Sequence, residues 1–209
     1  MYVPEHFRET RIEVLQALVD QHPLATLVAM TGAGLTANHI PMRAKLEEGG
    51  RGRLRGHIAR GNTLWRELKE DSPVLAIFMG SDHYISPVWY PSKRQNPKTV
   101  PTWNYATLHL QGTIRFINEA NWLREFVTEL TDVHEQGRPQ RWHVSDAPAD
   151  YIDAMLRAIV GFEIEVNGIT GKSKGSQNRP EMDRAGVRAG LDADGRNAQA
   201  IAEIAPGSK

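Results

Sequence analysis

The sequence predicts one mostly β domain, an antiparallel barrel with helices at its periphery. Three observations carry that expectation. About six segments have strand length and strand periodicity. Glycine-bearing turns separate them at short intervals. The helical segments do not follow each strand in regular order, which argues against a doubly wound parallel sheet. A chain of 209 residues that is 40% hydrophobic can bury one such core.

The elements follow in order. Ile12, Leu15, Leu18 and Val19 share a face at helical spacing between Thr10 and Pro23, so an amphipathic helix opens the chain. Residues 24–30 and 35–42 are compact apolar runs joined by Thr31-Gly32-Ala33-Gly34, which reads as a hairpin. A phosphate loop would have to open a helix, and the residues after Gly34 read as strand. Glu48-Gly49-Gly50-Arg51-Gly52 turns into a strand over 53–59, where Leu54, Gly56 and Ile58 alternate with Arg53, Arg55 and His57. Asn62 caps a helix through about Glu70, with Leu64, Trp65 and Leu68 on its buried side.

Residues 73–79 form an unbroken apolar run and read as a central strand. The longest strand spans 102–117. Ala106, Leu108, Leu110, Ile114 and Phe116 share its core face; Trp103, Tyr105, Thr107, His109, Gln111 and Arg115 share the other. Trp122, Phe126, Val127 and Leu130 define a helix ending near Gly137, and a short helix covers 151–158. Phe162, Ile164 and Val166 alternate with Glu163, Glu165 and Asn167 in a half-exposed strand. Beyond Gly168 the chain turns polar and basic, then into a marginal helix and a frayed end. The expected organisation is a barrel domain over 1–170 and a basic, polar tail over 171–209.

Composition removes several function classes. With no cysteine there is no disulfide, no thiolate nucleophile and no thiolate zinc site. The eight histidines lack the short helical spacing of zinc hydrolases, so no metal is expected. Ser81-Asp82-His83 is no relay, because consecutive residues of an extended segment point to opposite faces. The N-terminus has no basic and apolar leader, and no run reaches the roughly 20 apolar residues of a membrane span. The expected location is the cytoplasm. A net charge of zero lacks the excess of a small nucleic-acid binder. DNA contact would need a local patch at 51–55, 93–94 or 172–179.

Two Pro-punctuated aromatic segments stand out, Tyr84-Ile85-Ser86-Pro87-Val88-Trp89-Tyr90-Pro91-Ser92-Lys93 and Val100-Pro101-Thr102-Trp103-Asn104-Tyr105. Large aromatics go where area can be buried, so both read as walls of a site or of a subunit contact. Together with Asn38-His39-Ile40-Pro41, Gly56-His57-Ile58-Ala59-Arg60-Gly61-Asn62, Trp65, and Lys174 with Ser176-Gln177-Asn178-Arg179, they resemble the PaiB-like family of FMN-binding negative transcriptional regulators. Two positions depart from that family's pattern: Thr63 stands where Pro is usual, and Gly175 where Leu is usual.

The resemblance implies a homodimeric split β-barrel, similar to pyridoxamine-phosphate oxidases and flavin reductases, with FMN in a groove between subunits. An FMN site needs a phosphate cradle, a flat slot for the ring and polar groups at its pyrimidine edge. Arg60 and the helix start at Asn62 are the candidate cradle. Asn38, His39, Ile40, Pro41, His57 and Ile58 are candidates for the ring, Trp103, Tyr105 and His109 for the far wall, and Lys93 and Lys174 for flanking contacts. The family points to transcriptional repression, with DNA as a possible partner. A flavin-dependent oxidoreductase acting only indirectly on transcription is the alternative, and no catalytic residue is assigned.

Overall fold

The computed structural model describes residues 1–196. The chain forms two compact units. One comprises residues 22–77 and 110–169; the other comprises 1–21, 78–109 and the described residues from 170.

In the second of these, Glu5–Phe7 forms a single 3-10 turn, β1 is Arg8–Glu9 and α1 is Ile12–Gln21. The predicted apolar stripe of α1 is buried through Leu15, Leu18 and Val19. Across the larger unit, β2 (Leu24–Thr31) and β3 (Gly34–Glu47) form the expected hairpin, in register from Leu24 opposite Pro41 to Thr31 opposite Gly34. Gly34 takes φ +111°, which a side-chain-bearing residue rarely adopts, and Thr31 Oγ1 donates to its carbonyl at 3.0 Å. β4 (Arg51–Ala59) returns beside β3, with Met42 opposite Gly56.

The helix expected after Asn62 is a single turn, α2 (Leu64–Glu67). It stops because Leu68 is already extended and Asp71, at φ +59°, donates its N–H to the Ile114 carbonyl at the entry to the next strand. That strand, β5 (Ser72–Ile85), is twice as long as its apolar run suggested. β6 (Thr102–Ile117) has the predicted ends. Its core parity holds through Leu108, Leu110 and Ile114, then shifts so that Ile117 is buried and Phe116 only half-buried.

α3 (Ala120–Glu135) and α4 (Ala149–Arg157) share a core of Leu123, Val144, Ile152 and Leu156. β7 (Ile159–Lys174) pairs with β4 from Gly52 opposite Val166 to Ala59 opposite Ile159. The half-exposed reading of β7 holds at Glu165 and Asn167, which are exposed, and fails at one position. Glu163 is only 6% exposed, because Arg115 donates two hydrogen bonds to Oε2 and the Trp122 indole donates to Oε1.

The sheet runs in the order β1-β7-β4-β3-β2-β5-β6, and an additional β7–β6 pairing closes six of its strands into a ring. The mostly antiparallel barrel with peripheral helices is therefore the observed architecture. The stretch from 171 onward supplies the end of β7 and a helix, α5 (Glu181–Ala193); the frayed end expected beyond it falls on 197–209, outside the described residues. No helix among the described residues is long and apolar enough to cross a membrane.

Candidate functional site

The sequence-predicted residues fall into two groups, one per unit. In the larger unit, β3 alternates sides. Ile40 is core and Asn38 half-buried, while His39 and Pro41 face solvent. His39 Nδ1 lies 3.1 Å from Thr26 Oγ1, its cross-strand neighbour. Asn62 Nδ2 donates to Asn38 Oδ1 at 2.7 Å, and Asn62 Oδ1 accepts from the Leu64 N–H at 3.0 Å. These two asparagines, with Thr31, Thr36 and Glu67, line a hollow of about 280 Å³ between the hairpin turn and α2. Ile58 is buried in the core, so only its backbone is left for a ligand.

His57 does not face solvent. Its ring stands edge-on to Phe126, centroids 5.9 Å apart, with Nδ1 buried and unpartnered. Burial pushes its pKa below the ordinary imidazole value, so the ring is neutral at pH 7. Arg60 is occupied too. Its Nε donates to the Arg157 carbonyl at 2.7 Å, Nη1 to Asn118 Oδ1 at 3.0 Å and Nη2 to the Ile159 carbonyl at 2.8 Å. Its own carbonyl accepts from the Trp65 indole. This network ties the end of β4 to the α4–β7 connection, a role that nothing in the local sequence signals.

The other unit holds Trp103, Tyr105, Lys174 and Lys93. Trp103 is 52% exposed and meets Tyr84 edge-to-face with centroids 6.0 Å apart. Lys172 Nζ sits 5.0 Å above the Tyr105 ring. Lys174 Nζ donates to the Trp103 carbonyl at 2.8 Å and to Thr102 Oγ1. Its pKa is lowered, by burial first and then by the neighbouring charges of Lys172 and Arg179. Burial likewise lowers His109. Lys93 lies exposed on the 3-10 turn Pro91–Arg94.

The first aromatic segment is only partly a wall. Trp89 and Tyr90 are turned into the unit's own core with Ile85, Val187 and Leu191. Ser92 clasps α5 through Asp183, donating its N–H at 3.0 Å and its hydroxyl at 2.7 Å. Arg179 belongs to the same tail motif as Lys174, and Lys172, which the sequence placed only in the basic stretch 172–179, alternates with Lys174 along β7.

The donor chemistry suits a flavin nucleotide. Exposed ring faces at Trp103 and Tyr84 offer stacking area, and Lys172, Lys174 and Arg179 form no ion pair with a carboxylate among the described residues. Such cations suit a phosphate. No cluster of metal-ligating side chains occurs among the described residues.

Comparison with known proteins agrees. Residues 1–168 match the family described as "Putative FMN-binding domain". The chain is 32% identical over 207 residues to "Protease synthase and sporulation protein PAI 2" of Bacillus subtilis (strain 168), covering 98% of this chain and 96% of the relative. A solved FAD- and haem-binding protein from Mycobacterium smegmatis has TM-score 0.59 at 20% identity, over 85% of this chain and 78% of that one. A flavocytochrome from Azotobacter vinelandii has TM-score 0.57 at 15% identity, over 83% and 72%. These two similarities concern the fold, which is the split β-barrel that the motifs implied. The chain belongs to the FMN-binding domain family, and its cofactor is FMN.

Proposed function

We propose that this FMN-binding split-barrel protein is a regulator of the PaiB type that works as a cytoplasmic homodimer and represses transcription. The observation that carries the reading is the match along nearly the whole chain to the sporulation protein PAI 2. Dimerisation is supported by an outward sheet face of β2 and β3. Leu24, Met30 and Leu35 are each at least 60% exposed, and Met30 and Leu35 are cross-strand neighbours. Large exposed apolar faces on soluble proteins mark contact surfaces.

A second reading, a flavin-dependent oxidoreductase with indirect effects on transcription, is favoured by the state of the basic turn at 51–55. Arg55 bonds Glu129 at 2.5 Å and Arg53 lies 3.9 Å from Glu163, so part of this turn's charge is already paired and less is left there for DNA phosphates. The decisive experiment loads the protein with FMN and compares two assays. A salt-dependent shift of its own promoter fragment supports direct repression. Anaerobic bleaching of the flavin by a reduced nicotinamide, with no shift at physiological salt, supports the oxidoreductase and overturns the first reading.

A further inference from the structure

Three cations gather where β6 begins and β7 ends, and each is held by neutral partners. Lys172 donates to the Tyr2 carbonyl at 3.3 Å and covers the Tyr105 ring. Lys174 bonds Thr102 and the Trp103 carbonyl, and its ammonium lies 5.9 Å from the Phe7 ring centroid. Arg179 stands 4.9 Å from the Tyr90 ring centroid. The neighbouring carboxylates are engaged elsewhere. Glu9 pairs with Arg11 at 2.6 Å, Asp183 with Ser92, and Glu181 with Arg184 and Arg188.

The turn that aims Arg179 is itself built with care. Asn104 and Ser176, both buried, exchange hydrogen bonds at 2.9 and 3.1 Å. Ser176 adopts φ +64°, Gln177 bonds the Gly175 N–H and the Ser173 carbonyl, and the Arg179 N–H donates to the Ser176 carbonyl. Like charges crowded together and partly withdrawn from water destabilise the fold unless an anion joins them. Here β7 carries Lys172 and Lys174 and the hydrogen-bonded turn after it places Arg179, with no carboxylate among the described residues joining them, as a receptor for an anion requires. The side chains of Trp103 and Tyr105 share one face of β6, so an exposed indole lies on the same side as the ring that Lys172 covers.

We infer that Lys172, Lys174 and Arg179 form a receptor for the phosphate of a planar aromatic ligand that stacks on Trp103. The shared chemistry is an aromatic phosphate monoester. It has two sources: the phosphate of FMN itself, which rests on the flavin reading above, or a separate phosphorylated aromatic compound, which does not. Lys172 and Arg179 are the residues to alter, because Lys174 also ties β7 to β6.

The test is calorimetric titration of the full chain, stripped of flavin, with FMN, riboflavin and phenyl phosphate, repeated with phenyl phosphate on FMN-loaded protein. In a Lys172→Gln/Arg179→Gln variant a phosphate-bearing probe should weaken about tenfold or more while riboflavin is unchanged. Loss of the preference for FMN over riboflavin assigns the phosphate to the flavin. Loss confined to phenyl phosphate on the loaded protein assigns it to a second ligand. If the wild type binds no flavin yet binds phenyl phosphate in a Lys172- and Arg179-dependent way, the flavin reading fails and the receptor stands. Unchanged affinities for both phosphate probes overturn the receptor. Should the double variant not fold, the wild type decides: inorganic phosphate must raise its Tm more than chloride at equal ionic strength, and an equal rise overturns the proposal.

Discussion

Gly190 of α5 lies directly against the Trp89 indole, so close that any β-carbon at that position would overlap the ring. One turn earlier, Gly186 meets the Trp89 carbonyl in the same way. The two glycines, four residues apart on one helix face, form the surface on which the aromatic segment rests. We expect Gly190→Ala to destabilise the protein by about 1–3 kcal/mol despite alanine's better helix propensity, because overpacking outweighs it. Urea unfolding measures this, and a neutral or stabilising result would show that Trp89 can move aside.

Arg60 should behave as a structural residue. Removing it leaves the Arg157 and Ile159 carbonyls and Asn118 Oδ1 without their donor. The expected cost of Arg60→Ala is about 2–3 kcal/mol, the range for hydrogen bonds involving a charged group and partly solvated acceptors. Any weakening of ligand should be equal for FMN and riboflavin. A variant of undiminished stability that loses FMN alone would restore Arg60 as the phosphate group's partner.

These two cases separate what could be read from the chain from what could not. The β2–β3 hairpin and β6 were legible, because glycine placement and period-two parity are local signals. The single-turn α2 was not, since its end is set by a bond from Asp71 to Ile114 across 43 residues. Neither was the job of Arg60, whose acceptors lie 58 to 99 residues away. The family motifs mark stretches of chain but not the direction each side chain takes. Trp89 and His57 point into packing, whereas Trp103 is exposed.

Glu163 should leave a mark on the acid limb of stability. Burial alone would raise its pKa, but hydrogen bonds from Arg115 and Trp122 and the charges of Arg115 and Arg53 together hold it below the ordinary carboxylate value. A carboxylate depressed in the folded state contributes stability that is full above its unfolded pKa and is lost as pH falls through the folded one. Glu163→Gln should therefore cost about 1–2 kcal/mol near pH 7, moderated because Arg115 is more than half exposed and can rehydrate. That difference should shrink steadily on acidification below the ordinary carboxylate range. A gap between the two proteins that stays constant with pH would show that the ion pair contributes nothing through its charge.

The hairpin face makes the last prediction. If a second copy covers β2 and β3, placing a charge at Leu35, which is 74% exposed, will disrupt association without touching the core. On a monomer the same change is a surface substitution, expected within about 0.5 kcal/mol of neutral. Light scattering on Leu35→Glu should thus return a monomer where the wild type returns a dimer, while circular dichroism keeps the strand signal of the fold. Because β3 carries the Asn38–Pro41 motif only three residues further on, flavin titration of the same variant adds a second readout. A monomeric variant with weakened FMN would link the hairpin face to the cofactor site. A wild type already monomeric at micromolar concentration, with or without FMN, would remove the dimer altogether.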